Sequence, residues 1–361
     1  MPESVYIHIP FCKKKCKYCS FVSFPREEII TGYVYSLLKE ITENYQGEKL
    51  NTLYFGGGTP SLLPVDLITK IVKKFNFHPE AEITFEANPD DLTLPYIENL
   101  KKLGINRLSI GSQTFDDNIL ELIGRRHNSA QIETAVKLAK QAGFENISID
   151  LIYGLPTQNI EKLKIDMEKA VELDVQHIST YGLKIEENTA FGKNPPKELP
   201  DDDTQADMYE LIHGFLENNS FYQYEISNFA KKGYESRHNL NYWNNDEYYG
   251  FGVSAHGYVD GIRYSNFTTL EKYMENPTLH EFGKFLTQKE KLEEEIFLGF
   301  RKTEGVNINK INEHFDIDFE KKYKDILTKY SDYFIKTNEG YAFNLKGMLV
   351  SNIILAEFLG D

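Results

Sequence analysis

The chain has 361 residues, 41% of them apolar and 26% charged, a balance and a length that bury a large core without disulfides and exclude both intrinsic disorder and a small stapled scaffold. Its 40 basic and 55 acidic residues leave a net charge of −15, which repels phosphate backbones and argues against a general nucleic-acid binder. No apolar run approaches the roughly 20 residues that span a bilayer, and the N-terminus carries no basic, apolar leader, so a cytoplasmic protein with at most peripheral membrane contact is expected.

Short β-branched or aromatic runs alternate with helical patterns along the first half. Strands are predicted at Val5–Ile9, Thr52–Phe55, Glu82–Glu86, Arg107–Ile110, Ile147–Leu151 and His177–Tyr181. Helices are predicted between them at Ile30–Tyr45, Pro64–Phe75, Leu94–Leu103, Asp116–Ile123, Ala130–Ala142 and Ile160–Leu173, with Gly104 and Gly143 at helix stops. Successive βα units imply parallel strands, because parallel neighbours need crossover connections. Six units are too many for one mononucleotide-binding half and too few for a closed eight-stranded barrel. The expected α/β fold is therefore a partial six-stranded (β/α)6 TIM-like barrel over residues 1–186, with a doubly wound sheet as the alternative.

Residues 187–286 read as an α+β extension. They begin with Pro195, Pro196, Pro200 and the acidic run Asp201-Asp202-Asp203, continue into a helix over about 204–218, and become rich in Tyr, Phe, Asn and Gly. The tail, 287–361, is helical at Lys289–Phe300, Ile308–His314, Phe319–Tyr330 and Gly347–Leu359. Two short strands, Phe334–Thr337 and Tyr341–Asn344, flank the turn signal Asn338-Glu339-Gly340. Helices with a hairpin suggest a winged-helix-like module. Its 11 basic against 14 acidic residues point to packing or protein contact rather than DNA.

The three cysteines, Cys12, Cys16 and Cys19, lie in one C-x3-C-x2-C run directly after the first strand. An odd, clustered set argues for metal rather than disulfides. Structural zinc wants four ligands, which here would require His8 as the fourth. Three thiolates instead hold three corners of a [4Fe–4S] cube and leave the fourth iron open. Lys13, Lys14, Lys15 and Lys17 between the cysteines would offset the cluster's negative charge. A second signal is Gly56-Gly57-Gly58-Thr59-Pro60 after the second strand, where glycines let backbone approach a ligand. Polar residues at or just after later strand ends, Glu86, Gln113 and Asp150, with Arg125 on the following helical stretch, face the site in a barrel of this kind.

These motifs resemble the radical S-adenosylmethionine (SAM) superfamily. The resemblance implies a [4Fe–4S] cluster on Cys12, Cys16 and Cys19, with SAM chelating the open iron. It further implies SAM contacts from Tyr6, Gly57, Gly58, Thr59, Glu86, Gln113, Arg125 and Asp150. The carboxylates would accept from ribose hydroxyls, and Arg125 would pair with the methionyl carboxylate.

Over nearly the whole chain, the segments Tyr6–Cys12, Gly56–Pro60, Asp150–Pro156 and Gly252–Gly257 resemble oxygen-independent coproporphyrinogen III oxidase and its relatives. The decarboxylating oxidases carry a fourth cysteine two residues past the third, and a longer N-terminal arm. Here that position is Phe21 and the cysteine run begins at residue 12. Both features resemble the HemW-type haem chaperones instead, as does His238-Asn239-Leu240-Asn241-Tyr242-Trp243, which holds the only Trp. That resemblance implies haem as a third cofactor, with His238 as an axial or positioning ligand and Tyr242 and Trp243 as the apolar wall; packing of all three in the core is the alternative. His256 is a lesser candidate. Implied partners are haem, haem-accepting proteins with bacterioferritin as a candidate, and a second copy of the chain. Radical decarboxylation of coproporphyrinogen III is the competing activity.

Overall fold

The computed structural model describes residues 1–359. Six parallel strands, β1 (Ser4–Ile9), β2 (Lys49–Gly57), β3 (Asn76–Ala87), β4 (Arg107–Gln113), β5 (Asn146–Tyr153) and β6 (His177–Gly182), lie side by side in chain order. They are joined through helices α1 (Ile30–Asn44), α2 (Val65–Val72), α3 (Leu94–Lys102), α4 (Asp117–Ile123), α5 (Ser129–Gln141) and α6 (Ile160–Glu172).

Side chains alternate across each strand. Val5, Ile7, Leu53, Phe55, Phe85, Leu108, Ile110, Ile147, Ile149 and Ile178 form one buried apolar core with the helices. The opposite face is polar and buried: Thr52, Glu82, Thr84, Arg107, Ser109, Ser148, His177 and Ser179. An open barrel with an apolar outside and a polar inside follows from this period of two.

The sheet does not stop at six strands. Strand β8 (Asn228–Ala230) pairs antiparallel with β6, strand β7 (Tyr222–Glu225) pairs antiparallel with β8, and β9 (Tyr249–Phe251) adds parallel to β1, giving nine strands. The extension thus grips both edges of the sheet. Its helix Arg237–Trp243 sits across the lower end of the polar face. There the Glu82 carboxylate accepts from the backbone N–H groups of Arg237 and His238, both at 3.2 Å. Ser236 caps the same helix.

The tail buries a separate cluster including Ile296, Phe300, Phe319, Phe343, Ile354, Leu355 and Phe358. Its strands Val306–Asn307, Gly340–Phe343 and Phe334–Lys336 form a three-stranded antiparallel sheet. Two predicted helices are broken. Phe319–Tyr330 divides at Tyr323, and Gly347–Leu359 divides into Leu345–Leu349 and Ser351–Phe358 at Val350, where the backbone leaves helical geometry. The predicted helix Pro64–Phe75 ends at Val72, because Asn76 and Phe77 already pair with β2.

Candidate functional site

The cysteine loop leaves β1 at the top of the polar face. It is pinned by Lys17 N–H donating to the Ile123 carbonyl and by Phe191 N–H donating to the Lys17 carbonyl. The glycine turn after β2 packs directly beneath it. A Cβ on Gly58 would lie 2.7 Å from the Phe11 carbonyl oxygen, and Gly57 has φ +111°, with its Cβ position 2.7 Å from the His8 ring. The three glycines therefore serve close approach to β1, as well as presenting backbone to a ligand.

Cys12, Cys16 and Cys19 line one cavity of about 420 Å³ together with Gly57, Gly58, Thr59, Glu86, Gln113, Arg125 and Asp150. A hydrogen-bonded arc joins two of the sulfurs. Thr59 Oγ1 donates to Cys12 Sγ at 3.4 Å, and Asn88 Nδ2 donates to Thr59 Oγ1 at 3.2 Å. Arg125 then donates to Asn88 Oδ1 at 2.7 Å and to Cys16 Sγ at 3.5 Å. Arg125 also donates to the Gly111 carbonyl at 2.6 Å, and its Nε has no partner. Burial alone would lower its pKa, but Tyr18 and Cys16 opposite raise it, so it stays cationic. Gln113 sits at a register shift in β4 with φ +70°, the kind of strained backbone that marks functional sites.

Burial pushes the Glu86 carboxyl up to about 7, against the pull of the Tyr54 hydroxyl, with Asp150 adding to the rise. Tyr54 donates to Oε1 at 2.7 Å and Gly57 N–H to Oε2 at 3.2 Å. Asp150 is likewise raised by burial, opposed by donation from Ser179, by Arg107 and by donation from Ser109. Tyr6 does not line the cavity. Its hydroxyl is bonded to His8 Nδ1 at 3.0 Å and its ring stacks on Tyr54. Asn88, Ser109, Tyr18, Tyr181 and the 66%-exposed Phe21 line the cavity without having been expected from the sequence. Asn88, one residue past β3, and Tyr181, the last residue of the sixth predicted strand, carry the strand-end signal that could have found them.

The cysteine set fits a cluster better than a single zinc ion. His8, the one candidate for a fourth ligand, has Nδ1 bonded to Tyr6 and Nε2 bonded to the Val22 carbonyl at 2.9 Å. Among the described residues, no three His, Cys, Asp or Glu side chains close on one ion, whereas a cube takes each thiolate on a separate iron. Burial raises the Cys19 thiol, with Cys16 and Cys12 adding to the rise against a backbone hydrogen bond from Phe21, so a metal bound there must displace a proton. The two carboxylates, the cationic Arg125 with a free Nε and the glycine turn fit a zwitterionic ligand carrying hydroxyls.

His238 lies elsewhere. It is 1% exposed, on the floor of the polar face. Its Nδ1 is bonded to Thr52 Oγ1 at 2.7 Å and its Nε2 to the Tyr242 hydroxyl at 2.8 Å, while the ring stacks on Tyr54 at 5.0 Å. Burial and Arg107 hold its pKa down to about 3. Both ring nitrogens are thus bonded within the protein. Tyr242, whose hydroxyl holds His238, also borders an open groove together with Trp243 and His256.

A barrel of this topology, with three cysteines on the first top loop and a polar cavity beneath them, defines a radical SAM protein. Residues 6–170 match the Radical SAM superfamily and residues 286–341 match the HemN C-terminal domain. The chain belongs to the family of proteins named heme chaperone HemW. It is 40% identical to the one from Lactococcus lactis, covering 100% of this chain and 98% of that one. It is 37% identical to the Bacillus subtilis protein, covering 99% of this chain and 100% of that one. The fold matches the coproporphyrinogen III oxidase HemN from Escherichia coli with a TM-score of 0.88 at 23% identity, covering 99% of this chain and 90% of that one. That likeness concerns fold alone. No helix among the described residues is long and apolar enough to cross a membrane.

Proposed function

We propose that this protein binds haem and passes it to haem-requiring acceptors in the cytoplasm, on a scaffold that holds a [4Fe–4S] cluster and SAM. The observation that carries this reading is the end-to-end likeness to haem chaperones. Phe21, in place of the oxidase's further cysteine, favours it over porphyrinogen decarboxylation.

In this reading Cys12, Cys16 and Cys19 hold the cluster. Thr59 and Arg125 orient two of the sulfurs through the arc that runs over Asn88. Glu86 and Asp150 accept from the ribose hydroxyls of SAM, Arg125 neutralises its carboxylate, and the turn at Gly57 and Gly58 leaves room for its methionyl end. When bound, the cluster supplies single electrons to SAM. Tyr6 acts one layer below, fixing His8 and the Tyr54 ring that holds Glu86. Tyr242 and Trp243 offer haem an apolar wall, and His238 anchors the helix that carries them. Bacterioferritin and a second copy of the chain are partners to test.

The test uses anaerobically reconstituted protein. Haem is titrated by absorbance, and the same sample is assayed with coproporphyrinogen III, SAM and a reductant. Stoichiometric haem binding without porphyrinogen turnover is expected. Turnover without tight haem binding would replace this reading with the oxidase.

A further inference from the structure

The groove beside Trp243 has a volume of about 840 Å³ and runs between the small sheet His256–Val259, Ile262–Ser265, Phe282–Phe285 and the tail helix Gln288–Gly299. This is within the range of pockets that enclose drug-sized ligands. Its walls are aromatic and aliphatic. Tyr242 and Tyr248 meet edge to face at 4.7 Å, and Trp243, Tyr264, Phe282 and Phe297 complete the surface.

One imidazole opens into this space. His256 is exposed and its imidazole makes no hydrogen bond among the described residues, whereas both nitrogens of His238 are taken. The glycines around His256 explain how its backbone is fixed. A Cβ on Gly250 would lie 1.7 Å from the His256 carbonyl oxygen, and one on Gly257 would lie 2.2 Å from the Tyr264 ring. The strand His256–Val259 is thus clamped between β9 and Tyr264, with the His256 side chain left at the groove. Partial enclosure and Arg263 nearby lower its pKa, which favours the neutral, ligating form at pH 7.

We infer that haem sits in this groove with His256, not His238, as its iron ligand, and with Trp243 and Tyr242 against the macrocycle; the inference rests on the haem-chaperone reading above. The groove's rim bears on release. Arg263, its guanidinium, is already bonded to Glu294 and Asn245, and Glu290 and Glu293 lie on the same wall. No free guanidinium there clamps a propionate. Affinity therefore rests on one iron–imidazole bond and on apolar contact, which suits a cargo that must leave.

The experiment titrates ferric haem into the full chain, following the Soret band and the fluorescence of Trp243, for the unaltered protein, His256→Ala and Phe282→Glu. Phe282 is 54% exposed, so the charge enters the groove without disturbing the core. His256→Ala is expected to bind haem about tenfold or more weakly and to lose the imidazole-ligated spectrum, which added free imidazole restores. Phe282→Glu is expected to weaken binding with the spectrum kept. Equal affinity and an unchanged spectrum in His256→Ala would overturn the inference, as would a loss that imidazole does not restore. Failure of the unaltered protein to bind haem at all would instead sink the chaperone reading beneath it.

Discussion

Glu40 is a carboxyl on α1 that is 0% exposed and serves no cofactor. Its oxygens accept from Gly252 N–H at 2.9 Å, from Asn266 Nδ2 at 2.6 Å and from the Tyr273 hydroxyl at 2.5 Å. It is therefore the polar rivet between the barrel and the glycine segment that leads to His256. Glu40→Ala leaves three buried donors without an acceptor, each costing about 1–3 kcal/mol. Relaxation and relief of the buried charge offset part of that, so a net loss of about 3–5 kcal/mol is expected.

The pH dependence supplies a second reading of the same group. Burial pushes Glu40 from its ordinary 4.5 up to about 7, opposed by donation from Tyr273, Gly252 and Asn266. The folded chain therefore binds more protons than the unfolded one between those values. Stability falls as pH rises from about 4.5 to about 7 and is flat above, with Glu40 contributing roughly 3 kcal/mol of that fall. Urea denaturation at pH 5 and pH 8, followed by circular dichroism and Trp243 fluorescence, measures both effects. A loss below about 1 kcal/mol with an unchanged pH slope would refute the reasoning, because it would mean that water or a rearranged loop satisfies the donors.

Cys12→Ala should abolish [4Fe–4S] absorbance after anaerobic reconstitution; full occupancy in that variant would overturn the ligand assignment. Gly57→Ala places a Cβ 2.7 Å from the His8 ring at φ +111° and should cost about 2–3 kcal/mol or more. Gly143→Ala, at φ +85° with nothing within 4 Å, should cost only about 1 kcal/mol of backbone strain, and equal melting temperatures for the two variants would contradict the steric account. SAM binding, measured calorimetrically, should weaken as pH falls below about 7, where Glu86 takes up a proton and ceases to be a full acceptor. Glu86→Gln should bind SAM weakly at all pH values, and a retained pH slope in that variant would assign the titration to another group.

The six parallel strands and their helices were legible because each strand alternates an apolar outward residue with a polar inward one, and each helix repeats every three to four residues. Those periods are written along the chain and need no partner to be seen. The cysteine spacing was legible for a similar reason, since three thiols within eight residues at the end of a strand are already confined to one loop. β7, β8 and β9 were not. Runs of three or four residues such as Asn228–Ala230 and Tyr249–Phe251 carry no period, and they are strands only because β6 and β1 present open edges to them. The break at Val350 in the final helix was hidden too, because local propensity favours continuing through Leu349 and Ser351.

The haem motif shows most clearly where sequence stops. His238, Tyr242 and Trp243 share one seven-residue helix, and their residue types alone suit a metalloporphyrin. Which way each side chain points is set by the helix's docking against Glu82 and Thr52. That docking turns His238 inward, where Thr52 and Tyr242 take both of its nitrogens, and leaves Trp243, its Nε1 buried, at the wall of the groove it shares with His256, thirteen residues along the chain. The order of residues is enough to name the chemical groups the protein owns and the barrel that displays them. Which imidazole is free follows from the folded packing, because a lone pair's availability depends on partners brought from β2 and from the extension, and no local spacing records them.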